Sequence, residues 1–132
     1  MGLFKEIFCW WSGNTWGTRL YVARKMRFVG EDGLGNRYYE QRRGVGPTGK
    51  KRRFVTYKDY AEASKVPPEW HGWLHHTVDT PPTEESYQPK AWEKPHVPNM
   101  TGTAQAYRPA GSILTSAKRP KATGDYKAWS PE

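Results

Sequence analysis

The fold is decided by residues 26–40, which read MRFV-GEDGLGN-RYYE. Two short runs rich in apolar and aromatic residues, 26–29 and 37–40, have the composition of β-strands. Between them, residues 30–36 hold three glycines together with Asp32 and Asn36, which are residue types that tight turns favour. This arrangement predicts a β-hairpin.

A third strand is predicted at residues 52–57, which read RRFVTY. Phe54 and Thr56 fall on one face and Val55 and Tyr57 on the other, because successive side chains of a strand point to opposite faces. Three strands are about the smallest sheet that is stable alone. We therefore expect a three- to four-stranded antiparallel sheet.

Residues that follow the third strand predict a short helix that caps this sheet. Pro67, Pro68 and Glu69 suit a first helical turn, because proline is tolerated there and a carboxylate favours the positive end of the helix. Trp70 and Trp73 then share one helical face, and we expect them to close the core.

The first 16 residues predict an amphipathic helix that ends at residues 12–14 (SGN). Its apolar side chains recur at helical spacing on one face, and so large a face on a short helix favours docking on a membrane surface or on a partner. Packing on the chain's own core is the alternative. The predicted docking residues are Leu3, Phe4, Ile7, Phe8 and Trp11.

Residues 81–132 predict an extended tail, because ten of the 11 prolines follow residue 66 and aliphatic side chains are scarce. Such a segment cannot bury enough apolar surface to offset the entropy of ordering it. Isolated aromatic residues between prolines are typical of a strap whose rings fill pockets on a partner. The expected anchors are Tyr87, Trp92 and Tyr107, and a disordered tail is the alternative.

Together these patterns predict a small α+β protein. Residues 1–16 form the amphipathic N-terminal helix, residues 17–80 the antiparallel sheet with its short capping helix, and residues 81–132 the long extended Pro-rich tail that wraps a partner.

Composition excludes several classes of function. A chain of 132 residues with 36% hydrophobic content is too small for a Rossmann sheet or a TIM barrel. The single Cys9 excludes an intrachain disulfide, and no run is long enough for a membrane-spanning helix. The first residues have neither a secretory-signal nor a transit-peptide pattern.

Charge points to acidic partners. The net charge is +8, and residues 1–60 carry 13 of the 21 basic residues but only five of the 13 acidic ones. Residues 50–53 (KKRR), next to aromatic residues, leave a nucleic-acid-binding module as an alternative, although no RNA-recognition signature accompanies them. A solvated loop that contacts an acidic surface is the favoured interpretation.

Sequence patterns for catalysis and metal binding are weak. Residues 44–51 (GVGPTGKK) nearly match a phosphate-binding loop, but Lys51 stands where a hydroxyl must reach Mg²⁺, and a flexible basic loop between strands is predicted instead. His71 and His75 share a helical spacing but lack a third ligand with supporting spacing. No catalytic, cofactor-binding or metal-binding residue is predicted.

Several blocks of this sequence resemble a known family. They are residues 29–32 (VGED), 35–40 (GNRYYE), 66–75 (VPPEWHGWLH), 81–83 (PPT) and 99–103 (NMTGT). Together they resemble the alpha subcomplex subunit 12 family, an accessory subunit of respiratory complex I (NADH:ubiquinone oxidoreductase), over about residues 28–112. The motif and core positions are Tyr38, Tyr39, Pro67, Pro68, Glu69, Trp70 and Trp73.

The resemblance implies a non-catalytic subunit without flavin, iron–sulfur cluster or metal. Its partners would be the core and accessory subunits of the peripheral arm near the membrane arm. Contact with membrane-surface lipid stays open, and no nucleic acid or small-molecule substrate is implied. The resemblance places the chain on the cytoplasmic side of a bacterial plasma membrane, or the matrix side of a mitochondrial inner membrane, and an alphaproteobacterial member is expected.

A paralogous assembly factor of the same complex is the runner-up. It shares the hairpin and the Trp-containing helix, but its tail typically lacks the Thr-Gly-Thr block seen here at Thr101, Gly102 and Thr103. The resemblance therefore favours the permanent subunit.

Overall fold

The structure, a computed structural model of the chain, describes residues 3–8, 14–85, 87–115 and 117–131. Its elements in chain order are α1 (Leu3–Phe8), α2 (Trp16–Lys25), β1 (Met26–Glu31), β2 (Arg37–Gln41), β3 (Arg53–Thr56), a 3₁₀ turn (Ala63–Lys65) and α3 (Pro68–Leu74). No helix within the described residues is long and apolar enough to span a membrane.

The three strands form one antiparallel sheet in the order β1-β2-β3, which confirms the predicted α+β class. The register aligns Phe28, Tyr39 and Phe54 across the sheet. A β-bulge interrupts β1 between Phe28 and Gly30, so that Gly30 pairs with Tyr38. Bulges of this kind bend a strand and re-aim its side chains.

The core lies between the sheet and α3, and it is mostly aromatic. Tyr38 of β2 stacks on Trp70 at 3.9 Å between ring centroids, and Trp73 meets Trp70 edge to face at 5.6 Å. Tyr38 is 0%, Trp70 4% and Trp73 1% exposed, and Val66 completes the cluster. The predicted helix after Pro67 therefore lies across the sheet, where its two indoles are buried.

The helix α2 was not predicted. The predicted N-terminal helix spanned residues 1–16, whereas α1 covers only Leu3–Phe8, and Trp11 lies outside the described residues. Thr15 caps α2 by accepting the Thr18 amide at 3.3 Å, and Arg24 and Lys25 in the last turn favour its negative end. Local capping and charge, rather than an apolar period, explain this helix.

Two compact units make up the chain, Met1–Asn99 and Met100–Glu132. The first unit thus continues beyond the predicted start of the tail, and its end is held by Ser64: His96 Nε2 lies 2.8 Å from the Ser64 carbonyl, and the Asn99 amide donates to Ser64 Oγ. In the second unit, the described residues form turns and bends without helix or strand.

Candidate interaction surface

The turn of the hairpin is held by Asp32. Its carboxylate accepts the Leu34 and Asn36 amides, both at 2.9 Å, and the Tyr38 hydroxyl at 2.8 Å. Asn36 is buried and also donates to the Lys65 carbonyl, which ties the turn to the segment before α3. Burial first, and then the Asp32 bond, raises the pKa of Tyr38 far above its usual value. These bonds fix the hairpin turn to the segment that leads into α3.

A second link between sheet and helix is made by Arg53 of β3. Its guanidinium lies 4.7 Å from the Trp73 ring centroid and donates to the Trp73 carbonyl and, at 2.9 Å, to the Val78 carbonyl. The Arg53 side chain is only 7% exposed. The sequence predicts that Arg53 lies in the third strand, at residues 52–57, but that the basic run at residues 50–53 is solvated. In a strand, Arg53 lies on the same face as Val55, and this alternation is the signal that could have predicted that the Arg53 side chain faces the core.

The basic run at residues 50–53 is therefore partly committed to internal contacts. Arg53 Nε lies 3.6 Å, and Lys51 Nζ 3.7 Å, from the carboxylate of Glu40, which also pairs with Arg27 at 3.2 Å. A buried arginine cannot contact a phosphate backbone. The structure thus leaves fewer cations for a nucleic acid than the sequence suggested.

The glycine-rich loop at residues 44–51 closes on itself. The Gly46 amide donates to the Lys50 carbonyl at 2.7 Å, and the Gly49 amide donates to the Gly46 carbonyl at 3.0 Å. A phosphate-binding loop needs such amides directed at the ligand. This loop connects β2 to β3, as predicted, rather than opening a helix.

The imidazoles of His71 and His75 lie side by side, with ring centroids 4.2 Å apart. Burial first, and then nearby Arg53 and Lys50, lowers the pKa of the adjacent His76. No group of three His, Cys, Asp or Glu side chains suited to a metal ion occurs among the residues that the structure describes.

Large apolar side chains cover much of the described surface. Five hydrophobic residues form the core, whereas 19 large hydrophobic residues are exposed in the described part of the chain. On α1, Phe4 is 73% exposed, and Ile7 and Phe8 are also exposed. Of the predicted docking residues, the side chain of Leu3 and all of Trp11 fall outside what the structure describes. The structure brings Phe4 and Phe8 together, with ring centroids 4.9 Å apart.

The predicted tail anchors are exposed as well. Trp92 is 74% and Tyr107 90% exposed, and the Tyr87 hydroxyl donates to Glu93. Tyr87 and Trp92 line an open groove of about 890 Å³ beside α3, whose other lining residues include Pro68, Pro82 and Pro95. Tyr107 belongs to the second unit, so the anchors are divided between the two units.

The face of the sheet opposite α3 is also open. Phe28 and Tyr39 meet edge to face at 5.7 Å, yet Phe28 stays exposed. A groove of about 630 Å³ runs between this face and α2, lined by residues such as Thr18, Val22 and Tyr39. Of the predicted motif residues, Tyr38 thus lies in the core, and Tyr39 lies on this outer face.

A small aromatic core with so much exposed apolar surface is the pattern of one class of protein, the interaction proteins that dock on a partner. The sequence model described as NADH ubiquinone oxidoreductase subunit NDUFA12 matches residues 26–131. The chain therefore belongs to this family, as the sequence blocks predicted.

Relatives agree with this assignment. A Dictyostelium discoideum protein named as subunit 12 of the NADH dehydrogenase (ubiquinone) 1 alpha subcomplex is 36% identical over 104 residues, 75% of this chain and 73% of its own length. An uncharacterized protein of Rickettsia prowazekii is 40% identical over 68 residues, 52% of this chain and 68% of its own length. The Rickettsia relative supports the predicted alphaproteobacterial origin.

A third relative bears a different name. A mouse protein named as assembly factor 2 of the same subcomplex is 39% identical over 85 residues, 58% of this chain and 50% of its own length. Both names that the sequence blocks had suggested, the subunit and the assembly factor, thus occur among the relatives of this chain.

Proposed function

We propose that this chain is a non-catalytic accessory subunit of respiratory complex I that stabilises the peripheral arm near its junction with the membrane arm. Membership of the NDUFA12 family and the name of the Dictyostelium relative support this function. The chain contributes packing surface and no redox chemistry, and it needs no cofactor, nucleic acid or small-molecule substrate.

The imbalance between core and surface carries the proposal. Only five hydrophobic residues are buried in the part of the chain that the structure describes, and the exposed ones include Trp92, Tyr107 and Trp129, side chains that are costly to leave in water. Aromatic residues of this size are the usual anchors of protein interfaces. A host complex with pockets for these aromatic side chains explains why the chain carries them on its surface.

The contacts follow from the exposed residues. Phe4, Ile7 and Phe8 of α1 dock at the junction of the two arms, and Tyr87, Trp92 and Tyr107 anchor the chain along subunits of the peripheral arm. The chain then lies on the cytoplasmic side of the bacterial plasma membrane, which corresponds to the matrix side in mitochondria.

Native electrophoresis tests this function. The tagged chain, expressed in its own host in place of the untagged copy, is expected to co-migrate with the band that carries NADH dehydrogenase activity. A variant with Trp92→Ser and Tyr107→Ser loses two exposed anchors without touching the core, so its share in that band should fall. A matched variant with Thr101→Ser and Lys121→Gln is expected to stay bound.

The name of the mouse relative favours one second function, that of an assembly factor. An assembly factor would migrate with partial complexes and be missing from the mature, active band. That distribution would contradict a permanent subunit and support the second function.

A further inference from the structure

The helix α2 presents two different sides. Thr18 and Val22 line the groove beside the sheet and are half-buried. Trp16 and Leu20, one helical turn apart, lie on the other side, and each is 55% exposed. The helix therefore carries a narrow apolar stripe that the sheet does not cover.

Cations border this stripe on both sides. Helical spacing places Arg19 on one flank of Trp16 and Leu20 and Arg24 on the other, and Lys25 follows in the last turn. The helix sequence, WGTRLYVARK, has no acidic residue. None of these three cations forms an ion pair within the described ranges, unlike Arg27, Arg37 and Arg53 of the sheet.

Further cations lie at the end of α2. The Arg42 amide donates to the Lys25 carbonyl at 2.9 Å, which brings the exposed Arg42 beside the last turn. The helix α1, whose Phe4 and Phe8 are exposed, contacts α2 as well. Arg19 and Arg42 also line the edge of the groove beside the sheet, so exposed cations continue from the apolar stripe toward that groove.

We propose that this face of α2 binds the surface of a membrane rich in anionic phospholipids. An apolar stripe bordered by arginine and lysine is the pattern of a helix that lies in the membrane interface, where tryptophan is also enriched. Phosphate groups are available all around such a helix, whereas a protein groove would need carboxylates placed opposite each cation. The proposal rests on the proposed function, since a subunit at the junction of the two arms lies within reach of lipid.

Vesicle flotation with the purified full chain tests this binding. The probes are vesicles of phosphatidylcholine alone and of phosphatidylcholine with about one third phosphatidylglycerol. The chain should float with the anionic vesicles only, and binding should weaken as salt rises, because ions screen the attraction. Each surface cation near an anionic membrane contributes about a fivefold factor in binding.

The variant Arg19→Gln with Arg24→Gln removes both flanking charges and retains good helix formers. It should bind anionic vesicles about 30-fold more weakly than the unmodified chain. The control Lys121→Gln with Lys127→Gln removes the same charge from exposed positions of the second unit, and it should bind within about threefold of the unmodified chain.

Three results would overturn the proposal: no flotation with anionic vesicles at low salt, equal flotation with neutral vesicles, or an equal loss in both variants, which indicates diffuse attraction to a basic chain. A protein partner for this face would be shown if the unmodified chain did not float with vesicles and the Arg19→Gln, Arg24→Gln variant dissociated from lipid-depleted complex I. That outcome would also refute lipid binding. The vesicle test uses the isolated chain and needs no complex I. Failure of lipid binding can therefore be distinguished from failure of the proposed function, which the native gel tests.

Discussion

Among single residues, Trp70 contacts both of the other aromatic residues of the core. It stacks on Tyr38 and meets Trp73 edge to face, and only 4% of it is exposed. Replacement by alanine in so small a core leaves a cavity that few neighbours can fill.

We predict that Trp70→Ala lowers the free energy of unfolding by about 3–5 kcal/mol, measured by urea denaturation of the purified chain. Trp92→Ala removes the same side chain from an exposed position and should change stability by less than about 0.5 kcal/mol. Equal effects of the two variants would mean that Trp92, and with it the tail, belongs to the core.

Tyr38 makes stability depend on alkaline pH. Because burial and the bond to Asp32 raise its pKa in the folded protein, the unfolded chain loses this proton first. Below about pH 10 both states keep the proton, and stability is unaffected through this group. Above that pH, deprotonation favours the unfolded state, and stability falls by up to about 1.4 kcal/mol per pH unit through Tyr38.

Urea midpoints measured between pH 8 and 11 test this dependence. Tyr38→Phe should be less stable at pH 8, since Asp32 loses a donor, and should show a shallower decline toward pH 11. The control Tyr60→Phe removes a hydroxyl from an exposed position, and its stability should fall toward pH 11 as steeply as that of the unmodified chain. An unchanged slope in Tyr38→Phe would assign the alkaline loss to other groups.

Between elements, the approach of β1 to α3 depends on Gly30. A Cβ atom there would lie 2.5 Å from Thr83 Cγ2 and 2.8 Å from Trp70 Cη2, and the buried indole cannot move aside. Gly33, in the turn of the same hairpin, has no atom within 4 Å of such a Cβ.

We predict that Gly30→Ala destabilises the protein by about 1–3 kcal/mol, because it overpacks the contact between strand and helix. Gly33→Ala should change stability by less than about 0.5 kcal/mol. Thermal unfolding of both variants measures the difference, and a wild-type melting temperature for Gly30→Ala would contradict the described packing.

Some of the helices and strands could be predicted from the sequence, and others could not. The hairpin, the third strand and α3 have local signals, namely a turn cluster, strand composition and a Pro-Pro-Glu start, and all three were predicted. The helix α2 has a capping threonine but only a narrow apolar stripe, so periodicity missed it. The inward position of Arg53 depends on contacts with Trp73 and Val78, which are distant in sequence.

The surface was harder to predict than the core. Exposure of Phe4, Ile7 and Phe8 followed from the small apolar content of the rest of the chain. The opening of the sheet beside Phe28 and Tyr39 depends instead on where α2 lies, which the local sequence does not determine. The identity of the partner came from sequence blocks and relatives, because exposed apolar surface alone does not specify its host.

As a whole molecule, the chain is expected to gain much of its burial from a host. The second unit has turns but no buried hydrophobic residue within its described part, and Tyr107, Ile113 and Trp129 are all largely exposed. Such a segment has little to hold it in an isolated chain, since ordering entropy exceeds the available burial.

Hydrogen exchange by mass spectrometry, on the purified chain and on the same chain within intact complex I, tests this requirement most directly. We predict that amides of residues 100–131 exchange at nearly the rate of an unfolded peptide in the isolated chain and become protected in the complex, whereas β2 is protected in both. Strong protection of residues 100–131 in the isolated monomer, or no gain of protection in the complex, would contradict the account.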